Sequence, residues 1–372
     1  MKITGVTAEY NPFHNGHAYL IREARRVTCC DAVAVVMSGD FVQRGEPAFT
    51  DKHIRACHAL KNGADLVIEL PVLFCLDHAG RFASAAVKLL ETAGCTHIAF
   101  GSESGDLAKI TCLAESLRKR CAGESAGGRA AETRVGPNDH IASEYLLSME
   151  SAKPVAIFRQ GAGYYNGFTD SAAAYQSATA IREMIRTGAD FSPYVPENIH
   201  ASLQEIREPD RDTLWALLKG AVLAEEPEMI DDCPSGGEGI GCLFQEKIRA
   251  ARSWEEFLQA VKTKSYSYAR LRRLSMQVLL GITRSRYPQR CPAYLNVLAC
   301  NDQGRQILEN MREKSGGLPV ILDPGRDSAR LDGSASSMLA LDLHAAEIYH
   351  RIMRRGPAAE SDRSGSAAHH GS

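Results

Sequence analysis

The sequence predicts an α/β chain: a Rossmann-like parallel sheet domain followed by a mostly helical C-terminal domain. Three observations carry this. Short β-branched runs alternate with helix-length amphipathic segments over the first half. Turn residues close each segment. After about residue 190 the strand-like runs almost vanish, and long amphipathic helices take over.

In order, "KITGVTAEY" reads as a strand and "GHAYLIREARRV" as the helix after it. "AVAVVMSG" is a buried strand, and "DKHIRACHALKNG" a helix with Asp51 as cap and Gly63 as stop. "ADLVIELP" is a third strand, "GRFASAAVKLLETAG" a helix, and "THIAFGSES" a fourth strand. Residues 122–137 are small, polar and glycine-rich and read as a flexible connection. "NDHIASEYLLSME" is helical, "PVAIFRQ" is a fifth strand, and "SATAIREMIRTG" is a helix capped by Ser177. Domain boundaries are expected at 1–190 and 191–356, with 357–372 a disordered tail. In the second domain "ASLQEIREPDRDTLWALLKGAVLA" and "YARLRRLSMQVLLGI" are amphipathic helices, and "LPVILDP" is a small strand element.

With 372 residues there is chain enough for two domains, and 44% hydrophobic with 24% charged residues is ordinary globular composition. A net charge of -2 gives no global vote for nucleic acid, so any basic surface must be local. No apolar run reaches membrane length and the start is polar within a few residues, so a cytoplasmic protein is expected. The eleven cysteines include no C-x-x-C pair, which argues against structural zinc and a disulfide framework; no metal-ligating set is assigned.

The chemistry concentrates in "AEYNPFHNGHAYL". His14 and His17 bracket Gly16 where the first strand turns into a helix. That turn is where open parallel sheets bind ligands, and a helix N-terminus there favours phosphate. Three residues apart, the two imidazoles share a face and can donate to phosphoryl oxygens. Two capping loop histidines are the plainer reading. Gly101 ends a later strand on the same edge, where a missing Cβ admits a base or ribose. Asn138 opens a helix, either as cap or as a carboxamide aimed into the pocket. Arg159 is a cation at a strand's carboxyl end, suited to phosphate or carboxylate. Ser177 and Thr179 with Arg182 form a second anion cradle. "MSGDFVQRGEPA" looks like a pocket loop in which Asp40 could orient a lysine or a metal-bound water.

Between Lys264 and Arg290 stand seven cations and no acid. Arg270 and Arg273 share one helix face with Gln277, opposite Leu271, Leu274 and Val278, with Tyr268 nearby for stacking. Lys264, Tyr268, Arg270, Arg272 and Arg273 are therefore candidate RNA contacts.

Together "AEYNPFHNGH", "MSGDFVQRGEPA", "FGSE", "PNDHIASEYL", "RQGAGYY", "SATAIR" and "YSYARLRRLSMQVLLGI" resemble, in this order, the bacterial tRNA(Met) cytidine acetate ligase family within the HIGH-type nucleotidyltransferases. The resemblance spans most of the chain. It implies a nucleotidyltransferase domain that makes acetyladenylate from acetate and ATP, with Mg²⁺ as the expected companion ion, and acetylates N4 of the wobble cytidine of elongator tRNA(Met). It implies that Thr7, Ala8, Glu9, Tyr10, Asn11, Pro12, Phe13, His14, Asn15, Gly16, His17, Ala18, Tyr19 and Leu20 wrap ATP, joined by Gly101, Asn138, Arg159, Ser177, Thr179 and Arg182. His14, His17 and Arg182 are the expected catalytic residues. Asn296 and Ala299 stand where the family tends to have a basic residue and a glycine. Two rivals are a small-molecule adenylyltransferase of cofactor metabolism and a degenerate ATP-binding RNA-binding protein. Oligomeric state is left open.

Overall fold

The computed structural model describes residues 1–121, 136–160, 175–237, 239–313 and 317–353. The expected glycine-rich connection (but for Gly136 and Pro137) and the tail at 357–372 lie outside them. The chain divides into two compact units, 1–43 with 48–206 and 288–342, and 44–47 with 207–287 and the residues from Leu343 on.

The main sheet, in the first unit, has seven strands among the described residues: β1 (Ile3–Ala8), β2 (Ala32–Ser38), β3 (Leu66–Leu70), β4 (His97–Ser102), β5 (Lys153–Phe158), β6 (Leu295–Cys300) and β7 (Val320–Ile321). Their order across the sheet is β5-β4-β1-β2-β3-β6-β7. β5, β4, β1, β2 and β3 run parallel, whereas β6 pairs antiparallel to β3, with β7 parallel to β6. Every residue of β2 and β3 is buried. That is why both read as nearly continuous apolar runs, interrupted by Ser38 and Glu69 alone: a parallel sheet covered on two faces has no solvent side to alternate toward. The five expected strands are all present.

The boundary expected at residue 190 does not coincide with these units. The chain returns to the sheet after residue 287, and "LPVILDP" supplies its edge strand β7 rather than an element of the helical unit. "YLNVLAC", not read as a strand, is β6.

Helices α1 (Asn15–Thr28), α2 (Lys52–Lys61), α3 (Ala79–Thr92), α4 (Leu107–Cys121), α5 (Pro137–Ser148) and α6 (Ala178–Thr187) belong to the same unit. Asp51 caps α2 as expected, accepting from the backbone N–H of His53 at 2.7 Å, and Ser177 caps α6 by accepting from Ala180 N–H at 3.2 Å. Asn138 is not the cap of α5; Gly136 is, and Asn138 sits one residue inside Pro137. The order of strands switches sides at β1, with β2 on one side and β4 on the other, all three parallel; such a switch point is where open parallel sheets form a ligand crevice at the carboxyl ends of the strands.

The second unit is helical: α7 (Arg211–Ala224), α8 (Ile240–Ala250), α9 (Trp254–Val261) and α10 (Tyr268–Leu279), packed on Leu218, Phe244, Ile248, Phe257 and Leu274. The rings of Phe244 and Phe257 meet edge to face at 4.9 Å.

Candidate active site

The turn between β1 and α1 is held by its own side chains. His14 is the N-cap of α1, in extended conformation. Its Nδ1 accepts from Gly16 N–H at 3.1 Å, and Nδ1 of His17 accepts from the backbone N–H of His14 at 3.2 Å. The pair is thus a capping box with histidines in both places. Gly16 is required here: a Cβ would sit 2.9 Å from the His14 ring.

This arrangement sets the tautomers. A neutral imidazole whose Nδ1 accepts a hydrogen bond must carry its proton on Nε2, an assignment made from the hydrogen-bond pattern. Both rings are held neutral. Burial and then the Arg159 charge push His14 down to about 3, and burial, His14 and Arg159 hold His17 well below the usual histidine range. The rings stack 3.7 Å apart, and His17 also packs on Tyr10 at 4.8 Å and Phe13 at 5.6 Å. Two Nε2–H donors are therefore oriented together without the charge of an imidazolium pair.

Around this pair the structure gathers other expected residues. The Arg159 guanidinium donates to Asn138 Oδ1 at 2.9 Å and lies beside Gly101, where a Cβ would meet Arg159 Cγ at 3.2 Å. Asn138 is positioned by Glu103, whose Oε1 takes its side-chain and backbone N–H. Glu103 Oε2 takes Asp139 N–H at 3.0 Å, and buried Asp139 in turn holds Ser102, Glu103 and Ser104. The carboxylate pair was not read from the sequence; "SES…PND" carries only the generic signal that acids cap helix starts. Arg182 donates to Asn11 O at 2.7 Å and to Thr179 Oγ1 at 3.4 Å, so the N-terminus of α6 is tied to the β1–α1 turn.

Of the wrapping segment, Thr7 and Ala8 end β1, and Glu9 accepts from Gln43 N–H at 2.9 Å. Tyr10 has φ 49, the left-handed region, and the Asn11–Pro12 bond is cis. Asn11 Oδ1 accepts from Phe49 N–H at 2.7 Å, and Phe13 is fully buried. Asn15 donates to Pro193 O, Tyr19 accepts from Gln160, and Ala18 and Leu20 pack on the core.

On the β2–β3 side lies a second, buried polar group. Arg55 is completely buried and donates to the carbonyls of Thr50 (2.8 Å), Glu9 (2.7 Å), Ser38 (2.9 Å) and Gly39. Lys52 bridges Asp40 at 3.0 Å and Glu69 at 2.8 Å. The sequence reading allowed that Asp40 could orient a lysine; this is that lysine. Asn296 donates to Glu69 Oε2 at 2.7 Å.

In the helical unit, Ser267 caps α10, Lys264 and Tyr268 are exposed, and Arg272 and Arg273 are half-buried. Arg272 faces Glu46 at 3.7 Å and lies over the Trp254 ring. Arg270 departs from the expected outward stripe. It donates to the carbonyls of Ser235 and Gly236, both at 2.9 Å, and stacks on Tyr266 at 4.1 Å. No helix among the described residues is long and apolar enough to cross a membrane.

A sequence model of the HIGH Nucleotidyl Transferase family matches residues 1–126 and 124–364. The tRNA(Met) cytidine acetate ligase of Latilactobacillus sakei is 36% identical over 366 residues, 92% of each chain. That of Clostridium perfringens is 33% identical over 390 residues, 94% of this chain and 95% of the other. The crystal structure of Thermotoga maritima TmcAL bound with alpha-thio ATP superposes with a TM-score of 0.81 at 28% identity, over 97% of this chain and 98% of that one. With matches of this reach over nearly the whole length, the chain belongs to the HIGH nucleotidyl transferase family and, within it, to the tRNA(Met) cytidine acetate ligases.

Proposed function

We propose that the protein activates acetate with ATP to acetyladenylate and then acetylates N4 of the wobble cytidine of elongator tRNA(Met). The observation that carries this reading is the stacked, neutral His14–His17 pair with both Nε2–H groups free of the capping box, at the carboxyl end of β1. The nucleotide lies over the β1–α1 turn, Thr7 to Leu20. Gly101, Asn138 and Arg159 take its nucleoside side, and Ser177, Thr179 and Arg182 its phosphates.

An acetate oxygen attacks the α-phosphorus and pyrophosphate leaves. His14 and His17 donate to the phosphoryl oxygens as charge builds, and Arg182 with the N-termini of α1 and α6 receives the leaving group. Neutral donors suit this step, because the strongest charge on them appears only as the bond to pyrophosphate breaks. Mg²⁺ is the expected counter-ion of ATP. Among the described residues no group of three or more His, Cys, Asp or Glu could hold a metal ion; one or two carboxylates with the substrate phosphates are the usual setting for Mg²⁺.

The tRNA meets the helical unit through Lys264, Tyr268, Arg272 and Arg273, by phosphate contact and stacking. Arg270 shapes this surface by holding the 235–236 loop rather than by touching phosphate. Such an enzyme works in the cytoplasm with its tRNA. Incubation with ATP, labelled acetate and total tRNA tests the reading. Label is expected in tRNA as N4-acetylcytidine, and His17→Ala abolishes it. Adenylate transferred to a small phosphate ester, with no label in tRNA, would favour the small-molecule adenylyltransferase instead.

A further inference from the structure

The acyl-transfer step needs a group that accepts a proton, and the cations and histidines placed on the nucleotide cannot serve. Arg159 and Arg182 are cations, and His14 and His17 are far too weak as bases in their buried setting. The buried group on the β2–β3 side has the missing property.

Asp40 stands two residues beyond β2 and is 4% exposed. Its Oδ2 is paired with Lys52, but its Oδ1 is buried and has no hydrogen-bond partner among the described residues. A buried carboxylate oxygen left unpartnered costs free energy, and the chemistry that satisfies it is an N–H donor. Burial raises the proton affinity of Asp40 above the ordinary aspartate range, with Glu69 adding to it and Lys52 and Arg55 opposing it. Glu69 and Asp40 push Lys52 up and keep it an ammonium, so the lysine is not itself the base. Two of the three Lys52 N–H groups are engaged by carboxylates, leaving one donor next to the open acceptor. Lys52 is also the most exposed of the three side chains, at 12% against 3% and 4%, so access to the group runs past it. The site adjoins the nucleotide turn: Arg55 binds the carbonyls of Glu9 and Ser38 together.

We propose that Asp40 is the proton acceptor for acyl transfer, its Oδ1 receiving N4–H of the cytosine, with Lys52 and Glu69 as positioning residues. This rests on the ligase reading above. The N4 lone pair forms the bond to the acetyl carbonyl carbon, and the bond from that carbon to the adenylate oxygen breaks with its electron pair leaving on AMP. One N4 proton passes to Asp40 and from there to solvent. Donor Lys52 beside acceptor Asp40 matches the N3 acceptor and N4–H donor of cytosine; uracil presents the reverse pair.

The test separates the two half-reactions in the full-length protein. Acetate-dependent exchange of pyrophosphate into ATP reports adenylation, and labelled acetate entering an unmodified elongator tRNA(Met) transcript reports transfer. Asp40→Asn is expected to keep exchange within about 3-fold of the parent and to lower transfer by about 100-fold or more, the range of a lost general base. Equal loss of both activities in a folded Asp40→Asn protein, or loss of neither, overturns the proposal. Glu69→Gln, which leaves Asp40 and Lys52 in place, is expected to lower transfer less than Asp40→Asn; a larger effect overturns it. Should Asp40→Asn not fold, the unaltered protein decides. Single-turnover transfer from preformed acetyladenylate is expected to fall with acidification through a pKa above the usual aspartate range. The charged groups facing Asp40 there are Lys52 and Arg55 of α2 and Glu69 of β3, with Asp342 beyond Glu69. A profile that stays flat on acidification down to the usual aspartate range overturns the proposal. Absence of acetate-dependent exchange in the parent protein is a different result, and it strikes the ligase reading itself.

Discussion

Replacing Arg55 by methionine should be among the most damaging single changes in the sheet unit. The guanidinium is fully buried and satisfies four backbone carbonyls, those of Glu9, Ser38, Gly39 and Thr50. Leaving four buried acceptors without their donor costs about 1–3 kcal/mol each, so the gross loss is about 4–12 kcal/mol. Against this, the variant no longer buries a cation, which returns several kcal/mol. A net destabilisation of about 3–5 kcal/mol is expected, in line with the loss of one partner from a buried ionic group. Arg55→Lys keeps the charge but brings three donors to four acceptors, so it should lose about 1–2 kcal/mol, roughly one unmade bond. Urea unfolding followed by far-ultraviolet circular dichroism measures both. A methionine variant within about 1 kcal/mol of the parent, or a lysine variant no better than the methionine one, would refute the view that these carbonyls depend on the fork of donors.

Acidification should weaken the fold through His14. Its folded pKa of about 3 lies below the unfolded 6.5, so the unfolded chain binds more protons between these values. Stability contributed by the neutral ring is present above pH 6.5 and is lost as pH falls toward 3; a melting temperature unchanged in His14→Asn relative to the parent across that window would contradict this. Asn138→Asp puts a carboxylate against Glu103 while keeping an acceptor for Arg159, so KM for ATP should rise more than in Asn138→Ala, read by pyrophosphate exchange. Lys264→Ala and Tyr268→Ala should raise KM for tRNA by about 3- to 30-fold, as lost phosphate or stacking contacts do, and leave acetate-dependent exchange unchanged. A fall in exchange would mean these residues support the fold instead.

What could be read beforehand follows from the range of the forces involved. The β1–α1 turn was legible because its logic is local: His14, Gly16 and His17 satisfy one another within four residues. β2 and β3 were legible because burial on two faces leaves a nearly continuous apolar signature. β6 was not, because "LNVLAC" is half-covered and its partner β3 lies more than 200 residues earlier. Nothing near Leu295 says which strand it will join. Arg270 was misjudged for the same reason. Helical periodicity sets it opposite Leu271 and Leu274, but only the 235–236 loop, about 35 residues upstream, turns that face inward. Lys52 and Glu69 were missed because Lys52 looks like an ordinary charge at a helix start and Glu69 is a lone acid in an apolar strand; neither names its partner until α2 and β3 are brought together.

The late strands also bear on how the chain is made. Because β6 and β7 come from residues 295–321 while their neighbour β3 ends at Leu70, the helical unit's 207–287 is in effect an insertion within the sheet unit. During synthesis at about 5–20 residues per second, β3 stands as an open edge for roughly ten seconds or longer before its partner emerges. Closing so long a loop is a slow, non-local event. An early helical unit that holds residues 207 and 287 near one another would shorten the effective loop. A fragment ending near residue 206 would keep the whole nucleotide turn and still present the bare hydrogen-bonding edge of Leu66–Leu70, a surface primed for association between chains.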